Sequence, residues 1–264
     1  SNNLEFNQSG DTFVAWNWKA GGSASSNSNG SITSSVSANT TVGFSIVSYT
    51  GTGSQATVGH GLGVAPSVLI HKKRTTSAEA WSVFHQSVGI TKRMILSSTE
   101  AETADASPQP DWNDVLPTSS VFTIGTSSRT NASENYICYA FAEKKGYSKF
   151  GSYTGNGNAD GTFVYTGFKP AFLIVKRTDS AGYDWLMYDN KRQVSFNVID
   201  DFLKPNLSDT ETTGNANQSL DFLSNGVKHR GNGASSNGSG ATYIYMAFAE
   251  SPFVNSKGVP NNSR

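Results

Sequence analysis

One run constrains this chain more than any other: it occurs near the end as Tyr243-Ile244-Tyr245-Met246-Ala247-Phe248-Ala249-Glu250 and in the middle as Tyr136-Ile137-Cys138-Tyr139-Ala140-Phe141-Ala142-Glu143. A degenerate third copy, Phe13-Val14-Ala15-Trp16-Asn17-Trp18-Lys19, stands near the start. Each mixes aromatic, β-branched and small residues and carries no charge until its last position, which is how a strand buried on both faces reads. Three versions of one closing strand predict a chain assembled from repeats.

Between the closing strands the register is regular. Pro66 matches Pro170 (170 − 66 = 104), and Ile70 with Ile174, Lys72 with Lys176, Trp81 with Trp185 and Phe84 with Tyr188 keep the same offset. It drifts to 107 at the closing strands (243 − 136), as small insertions in loops would produce. Short alternating segments separated by Gly, Asn and Pro predict an all-β fold: two tandem antiparallel β-sandwich repeats preceded by the closing strand of another repeat. The expected boundaries are 1–20 for that closing strand, 21–41 for a Ser/Asn/Gly-rich linker, 42–146 for repeat one and 147–264 for repeat two. The start at Ser1-Asn2-Asn3, without an initiator Met or a signal sequence, predicts a fragment of something longer. The first closing strand, its own repeat body missing, is then expected to dock on the sheet edge of an upstream segment or of another subunit.

Composition narrows the function classes. Charged residues are 15% of the chain and the formal net charge is zero, against about 25% charged residues in ordinary soluble proteins. Ser, Thr, Asn and Gly must keep such a surface in solution, which suits an extracellular or particle-surface β-protein. Nucleic acid is not an expected partner, because no basic footprint is present to release its counterions. No apolar run approaches the roughly 18 residues of a spanning helix, so membrane insertion is not expected. The single cysteine, Cys138, sits inside a closing strand at the position of Tyr245 and is expected buried and unpaired.

Few residues stand out as candidate sites. Trp112, in Asp111-Trp112-Asn113-Asp114 between Pro110 and Pro117, has no partner in repeat two. A Trp flanked by carboxylates and an amide offers an apolar face with hydrogen-bonding groups, which suits a glycan; the alternative is a loop Trp folded back as a lid on the sandwich. Trp81 and Trp185 are candidates for sugar stacking as well, though a recurrent Trp also reads as core. Asn156, Asn158 and Asp160 spell the first half of a calcium loop without its bidentate Glu, and a plain glycine-rich hairpin turn is the favoured reading of them. His60 in Gly59-His60-Gly61 has no nucleophile at a recognised spacing, and the four histidines show no metal-ligand spacing. The pairs Glu100 with Glu102 and Asp209 with Glu211 supply the two acids a glycosidase needs, or else line solvated loops. No cofactor motif occurs.

Four blocks together resemble a repeat module of marine bacteriophage tail-fibre-like structural proteins: Asp11 to Gly22, Gly59 to Pro66, Gly146 to Gly157 and Tyr243 to Glu250. The resemblance implies a non-enzymatic virion protein, exposed on the particle or its tail, assembled in the host cytoplasm and serving host-surface attachment. Its implied partners are other virion subunits, as a homo-oligomer that would be a trimer in a fibre, and a host-surface glycan. A glycan-depolymerising tail spike and a head decoration protein without a ligand are the alternatives.

Overall fold

The structure, a computed structural model, describes residues 9–75, 79–106, 108–193 and 196–250. Its first ten strands are β1 (Ser25–Asn27), β2 (Ser34–Asn39), β3 (Phe44–Thr50), β4 (Ala56–Gly59), β5 (Val68–Lys73), β6 (Ser82–His85), β7 (Lys92–Ile95), β8 (Thr103–Ala104), β9 (Val121–Ile124) and β10 (Asn135–Phe141). Eight of them form one sheet in the order β1-β2-β3-β10-β5-β6-β7-β8, and β4 pairs with β9 in a small second sheet. The next seven are β11 (Ser148–Thr154), β12 (Phe163–Tyr165), β13 (Pro170–Arg177), β14 (Leu186–Asp189), β15 (Leu220–Leu223), β16 (Gly226–His229) and β17 (Thr242–Ala249). They form a sheet β11-β17-β13-β14 and a small sheet β12-β16-β15. The chain is therefore all-β and antiparallel, with a sandwich of one large and one small sheet in each half.

The tandem halves share one strand plan, β3-β10-β5-β6 answering to β11-β17-β13-β14. Register repeats as well. Ile70 lies between Tyr139 and Val83, and Ile174 lies between Met246 and Met187. Pro66 and Pro170 both stand at the entry to the equivalent strands β5 and β13, while Trp81 and Trp185 immediately precede β6 and β14.

Of the closing strands, β17 is buried on both faces, as its sequence predicts, while β10 is buried on one face and half-buried at Ile137 and Tyr139 on the other. Tyr136, Cys138 and Ala140 join Val47, Val58, Trp112 and Phe122 in the core of repeat one. Tyr243, Tyr245 and Ala247 do the same in repeat two with Val164, Phe202 and Phe222. The alternate residues, Phe141 on β10 and Ile244, Met246 and Phe248 on β17, meet in a third apolar cluster drawn from both repeats, so the two large sheets pack face to face. The Phe141 and Phe248 rings lie 5.9 Å apart across this seam. Trp185 Nε1–H donates to the Ile95 carbonyl at 2.9 Å and Gln86 Nε2–H to the Phe150 carbonyl at 2.8 Å, tying the repeats together at its rim.

Two sequence expectations are corrected. Residues 21–41 are not a linker, because β1 and β2 lie within them and β2 extends the large sheet along β3, Val36 opposite Val47. β2, flanked by β1 and β3, is held by buried Val36 and by Ser34 and Ser37, whose hydroxyls bond the Gly59 and Gly22 carbonyls. The segment around Phe13 to Lys19 is likewise not a closing strand and is not docked elsewhere. It forms no ladder and wedges Trp16 and Trp18 into the seam of its own chain. Trp18 meets Phe172 and Phe248 edge-on, each at 5.3 Å, and Trp16 Nε1–H donates to Asp189 Oδ2 at 3.1 Å. The seam offers both indoles aromatic edges to pack on. Residues 1–8 and 251–264, parts of the first and last expected segments, lie outside the described residues.

Each repeat clamps one loop with two tyrosines and an asparagine. Tyr49 and Tyr136 donate to the Thr130 and Ser128 carbonyls, and Tyr153 and Tyr243 donate to those of Ser236 and Ala234. Asn131 accepts the Thr52 N–H and donates to the Gly125 and Ser54 carbonyls; Asn237 accepts the Asn156 N–H and donates to the Gly231 and Asn158 carbonyls. The same loops press on Gly51 and Gly155, where a Cβ would lie 2.2 Å from the Ala132 oxygen and 2.4 Å from the Gly238 oxygen. Removing either amide strands several enclosed backbone groups, so Asn131→Ala and Asn237→Ala should each cost about 2–4 kcal/mol. Urea unfolding midpoints measure this, and an unshifted midpoint for either variant would contradict the clamp.

Candidate functional site

The residues singled out by sequence do not assemble into one site. Asp111 and Trp112 are buried, so the lid reading of Trp112 holds and an exposed glycan platform there does not. The carboxylate of Asp111 accepts from the Ser82 hydroxyl and pairs with Arg129, whose NH2 lies 3.1 Å from Oδ1, while Arg93 approaches to 3.9 Å. Asp105 accepts the Asp111 and Trp112 N–H groups at 2.7 and 2.8 Å, fixing the loop; burial, opposed by these bonds, raises its pKa. The Trp112 ring packs 5.2 Å from the His71 ring and 6.1 Å from Phe84. Asn113 and Asp114, both with left-handed φ (53° and 54°), carry the chain out to the surface beside a shallow recess of about 320 Å³.

The calcium candidates are turn residues. Asn156 Oδ1 accepts the Asn158 N–H at 3.0 Å, Asn158 Oδ1 accepts the Asp160 N–H at 3.0 Å, and the Asp160 carboxylate pairs with Lys228 at 2.7 Å. The side-chain oxygens thus serve the turn's own donors, as Asx turns do. Among the described residues no group of three or more His, Cys, Asp or Glu is placed to hold a metal. His60 is also structural: its Nδ1 accepts the Leu62 N–H at 3.2 Å and its Nε2 faces the Thr118 carbonyl at 3.2 Å. Thr166 does the same work in repeat two, its hydroxyl accepting the Phe168 N–H, which explains why no second His is needed. Of the acids, Glu102 pairs with Lys92, Glu211 with Arg192 and Asp209 with Lys204, while Glu100 faces solvent. Cys138 is free and buried, and burial raises its thiol pKa far up, so it is no nucleophile.

Chemistry gathers instead around Trp81. Its ring stacks nearly parallel to Tyr139 (6.5 Å, 13°), which in turn stacks over Phe44, and Lys72 Nζ lies 5.8 Å from the indole centroid. The Lys72 ammonium donates to the Glu79 carbonyl across the β5–β6 hairpin, as Lys176 does to the Tyr183 carbonyl in repeat two. Where Trp185 is buried, Trp81 is only half-buried. It forms a wall between two recesses. On one side an apolar cleft of about 390 Å³ opens in the seam, bounded by Trp16, Trp18, Ile46, Ile70 and Ile174. On the other side a polar recess of about 440 Å³ is lined by Lys72, Glu79, Arg93, Glu100 and Arg129. Sequence reading singled out Trp81 as a stacking candidate but not its surroundings, because the wedge of Trp16 and Trp18 is remote in the chain.

His71 offers a direct probe of the core beneath. Neither ring nitrogen has a hydrogen-bond partner, and burial pushes its pKa from 6.5 to about 3; His229 is likewise held to about 3 and His85 to about 4, chiefly by burial. Such a histidine is neutral in the fold while the unfolded chain takes up a proton below about pH 6.5, so stability is lost as pH falls from there toward 3, by up to about 1.4 kcal/mol per pH unit per group. Repeat two carries Val175 at the place of His71, so His71→Val should flatten the fall. Melting temperatures between pH 7 and 4 check this, and an unchanged slope would contradict it.

No curated protein and no solved structure matches the sequence. Residues 1–252, the N-terminal wedge together with both repeats, match the family described as a domain of unknown function, DUF7483, and the chain belongs to that family.

Proposed function

We propose that this chain is a non-enzymatic structural protein of a phage-type virion, exposed on the particle or tail, and that it contributes to host-surface attachment by stacking a glycan on Trp81. The observation that carries the glycan part is the half-buried Trp81 standing between an apolar cleft and a recess holding Lys72, Arg93 and Arg129. A sugar ring presents an apolar face of C–H groups and a rim of hydroxyls, and this wall offers a partner to each. The low charge and the Ser/Asn/Gly-rich loops support a surface that faces the medium. The resemblance of the Asp11 to Gly22 and Tyr243 to Glu250 blocks to tail-fibre-like modules supports the virion setting and an oligomer of such subunits, a trimer in a fibre.

A glycan array with a parallel assay for reducing-end release tests the reading. Trp81→Ala should weaken binding by on the order of 2 kcal/mol, roughly 30-fold, with little change in melting temperature. Release of reducing ends would favour the depolymerase alternative. Absence of glycan binding by the parent protein would leave a purely structural decoration role.

A further inference from the structure

Among the described residues, repeat two lacks a strand that repeat one possesses. In repeat one a single extended stretch closes two sheet edges at once. β2 pairs along β3, Ser35 opposite Ser48 and Ser37 opposite Ile46. Just before it, the Ile32 N–H donates to the Thr57 carbonyl at 3.0 Å, the Thr57 N–H donates to Ser31 Oγ at 2.9 Å, and Ser34 Oγ donates to the Gly59 carbonyl at 2.8 Å, which seals the outer edge of β4. Val36 is buried in the core of repeat one and Ile32 packs against it, so the same stretch roofs that core.

The equivalent strands of repeat two, β11 and β12, are both edge strands, with no further strand paired to them among the described residues. The Gly155 N–H to Ala241 carbonyl bond and the Ala249 N–H to Tyr147 carbonyl bond place the odd-numbered residues of β11 on the β17 side. Alternation then turns Ser148, Phe150, Ser152 and Thr154 outward. The Ser148 N–H finds Lys144, the Phe150 carbonyl accepts from Gln86 and the Thr154 carbonyl from Thr162, but no described residue bonds the N–H or C=O of exposed Ser152. On β12 the His229 N–H to Thr162 carbonyl and Thr166 N–H to Asn225 carbonyl bonds likewise leave Phe163 and Tyr165 pointing their backbone groups outward. The Thr162 to Thr154 bond, 2.8 Å, holds the two open edges side by side. Phe163 and Tyr165 are also 43% and 63% exposed, and the Phe163 ring reaches over Gly226, away from the free edge.

The geometry points to β11 and β12 as a joint acceptor for an extended polypeptide segment supplied by a different protein, with the chemistry that residues 31–39 show in repeat one: uncharged, rich in Ser, with β-branched apolar residues four apart, as Ile32 and Val36 are. The occupant of the matching edges in the same fold is the argument for this chemistry, and unpaired edges of this kind are templates for strand addition. The part around Asn27 is excluded from the match, since its side chain occupies the space above Gly59 where repeat two carries Tyr165. This inference stands on edge geometry and is independent of the glycan reading.

The probe is a synthetic peptide of residues 30–41, added to the full chain and followed by amide hydrogen exchange. Slowing of exchange by roughly tenfold or more at Ser152, Phe163 and Tyr165 is expected, and a peptide with Ile32→Lys and Val36→Lys should give none. In the protein, Ser152→Pro, which removes an outward donor from an edge strand where proline is tolerated, should abolish the effect while leaving the melting temperature close to the parent's. Protection confined to β3 and β4, meaning exchange with the resident strand, or no protection, would overturn the proposal. So would concentration-dependent dimerisation that protects these amides without peptide, because the occupant would then be a second copy of this chain.

Discussion

The structure depends on two strands covered by protein on both sides, β17 buried on each face and β10 buried on one and half-buried on the other. β10 and β17 each send small and tyrosine side chains into their own repeat and large apolar ones into the seam, so neither repeat can be completed without the other's sheet against its back. A buried Phe or Met removes apolar surface worth about 1.5–3 kcal/mol from water. Phe141, Phe150, Phe172, Met246 and Phe248 together therefore make the seam comparable to either repeat's own core rather than a loose contact between beads. Trp16 and Trp18 fill the rim that two twisted sheets leave open, which is why a segment with strand-like composition ends as a wedge.

The site follows from the same constraint. A seam between two twisted sheets diverges toward its ends, and where it diverges on the repeat-one side Trp81 loses the cover that Trp185 keeps. Trp185 is pinned by its bond to the Ile95 carbonyl, a group of the other repeat; Trp81 instead leans on Tyr139 of its own sheet and leaves part of its surface to solvent. Equivalent positions in a tandem pair are thus made inequivalent by which side of the shared interface they occupy. Repeat-one and repeat-two edges differ for a related reason: residues 25–39 reach β3 and β4, whereas a short connection leads straight from β10 into β11.

Much of this was legible in the residues. The doubly apolar runs of β10 and β17 were strands covered by protein on both sides, and the constant offset from Pro66 to Phe84 placed β5, β6, β13 and β14 in matching positions. Short-range signals misled elsewhere. Asp111, Asn113 and Asp114 made Trp112 look exposed, because the charges that neutralise Asp111 come from Arg93 and Arg129, which are distant in sequence and show no periodicity with it. The serines of β2 looked like linker because their burial rests on hydroxyl bonds to the Gly59 and Gly22 carbonyls, which leave no periodic signal, and one Val is too little alternation to read. The structural roles of Asn131 and Asn237 left no pattern to read, since the two carbonyls each one holds lie on separate segments of the chain.

The central claim is that the repeats share a core and therefore unfold as one. Differential scanning calorimetry of the intact chain tests it most directly, by comparing the calorimetric enthalpy with the van 't Hoff enthalpy of the same transition. One transition with the two enthalpies equal is the predicted result. Two resolved transitions, or a van 't Hoff enthalpy near half the calorimetric value, would mean that the repeats melt independently and that the seam between β10 and β17 does not govern the fold.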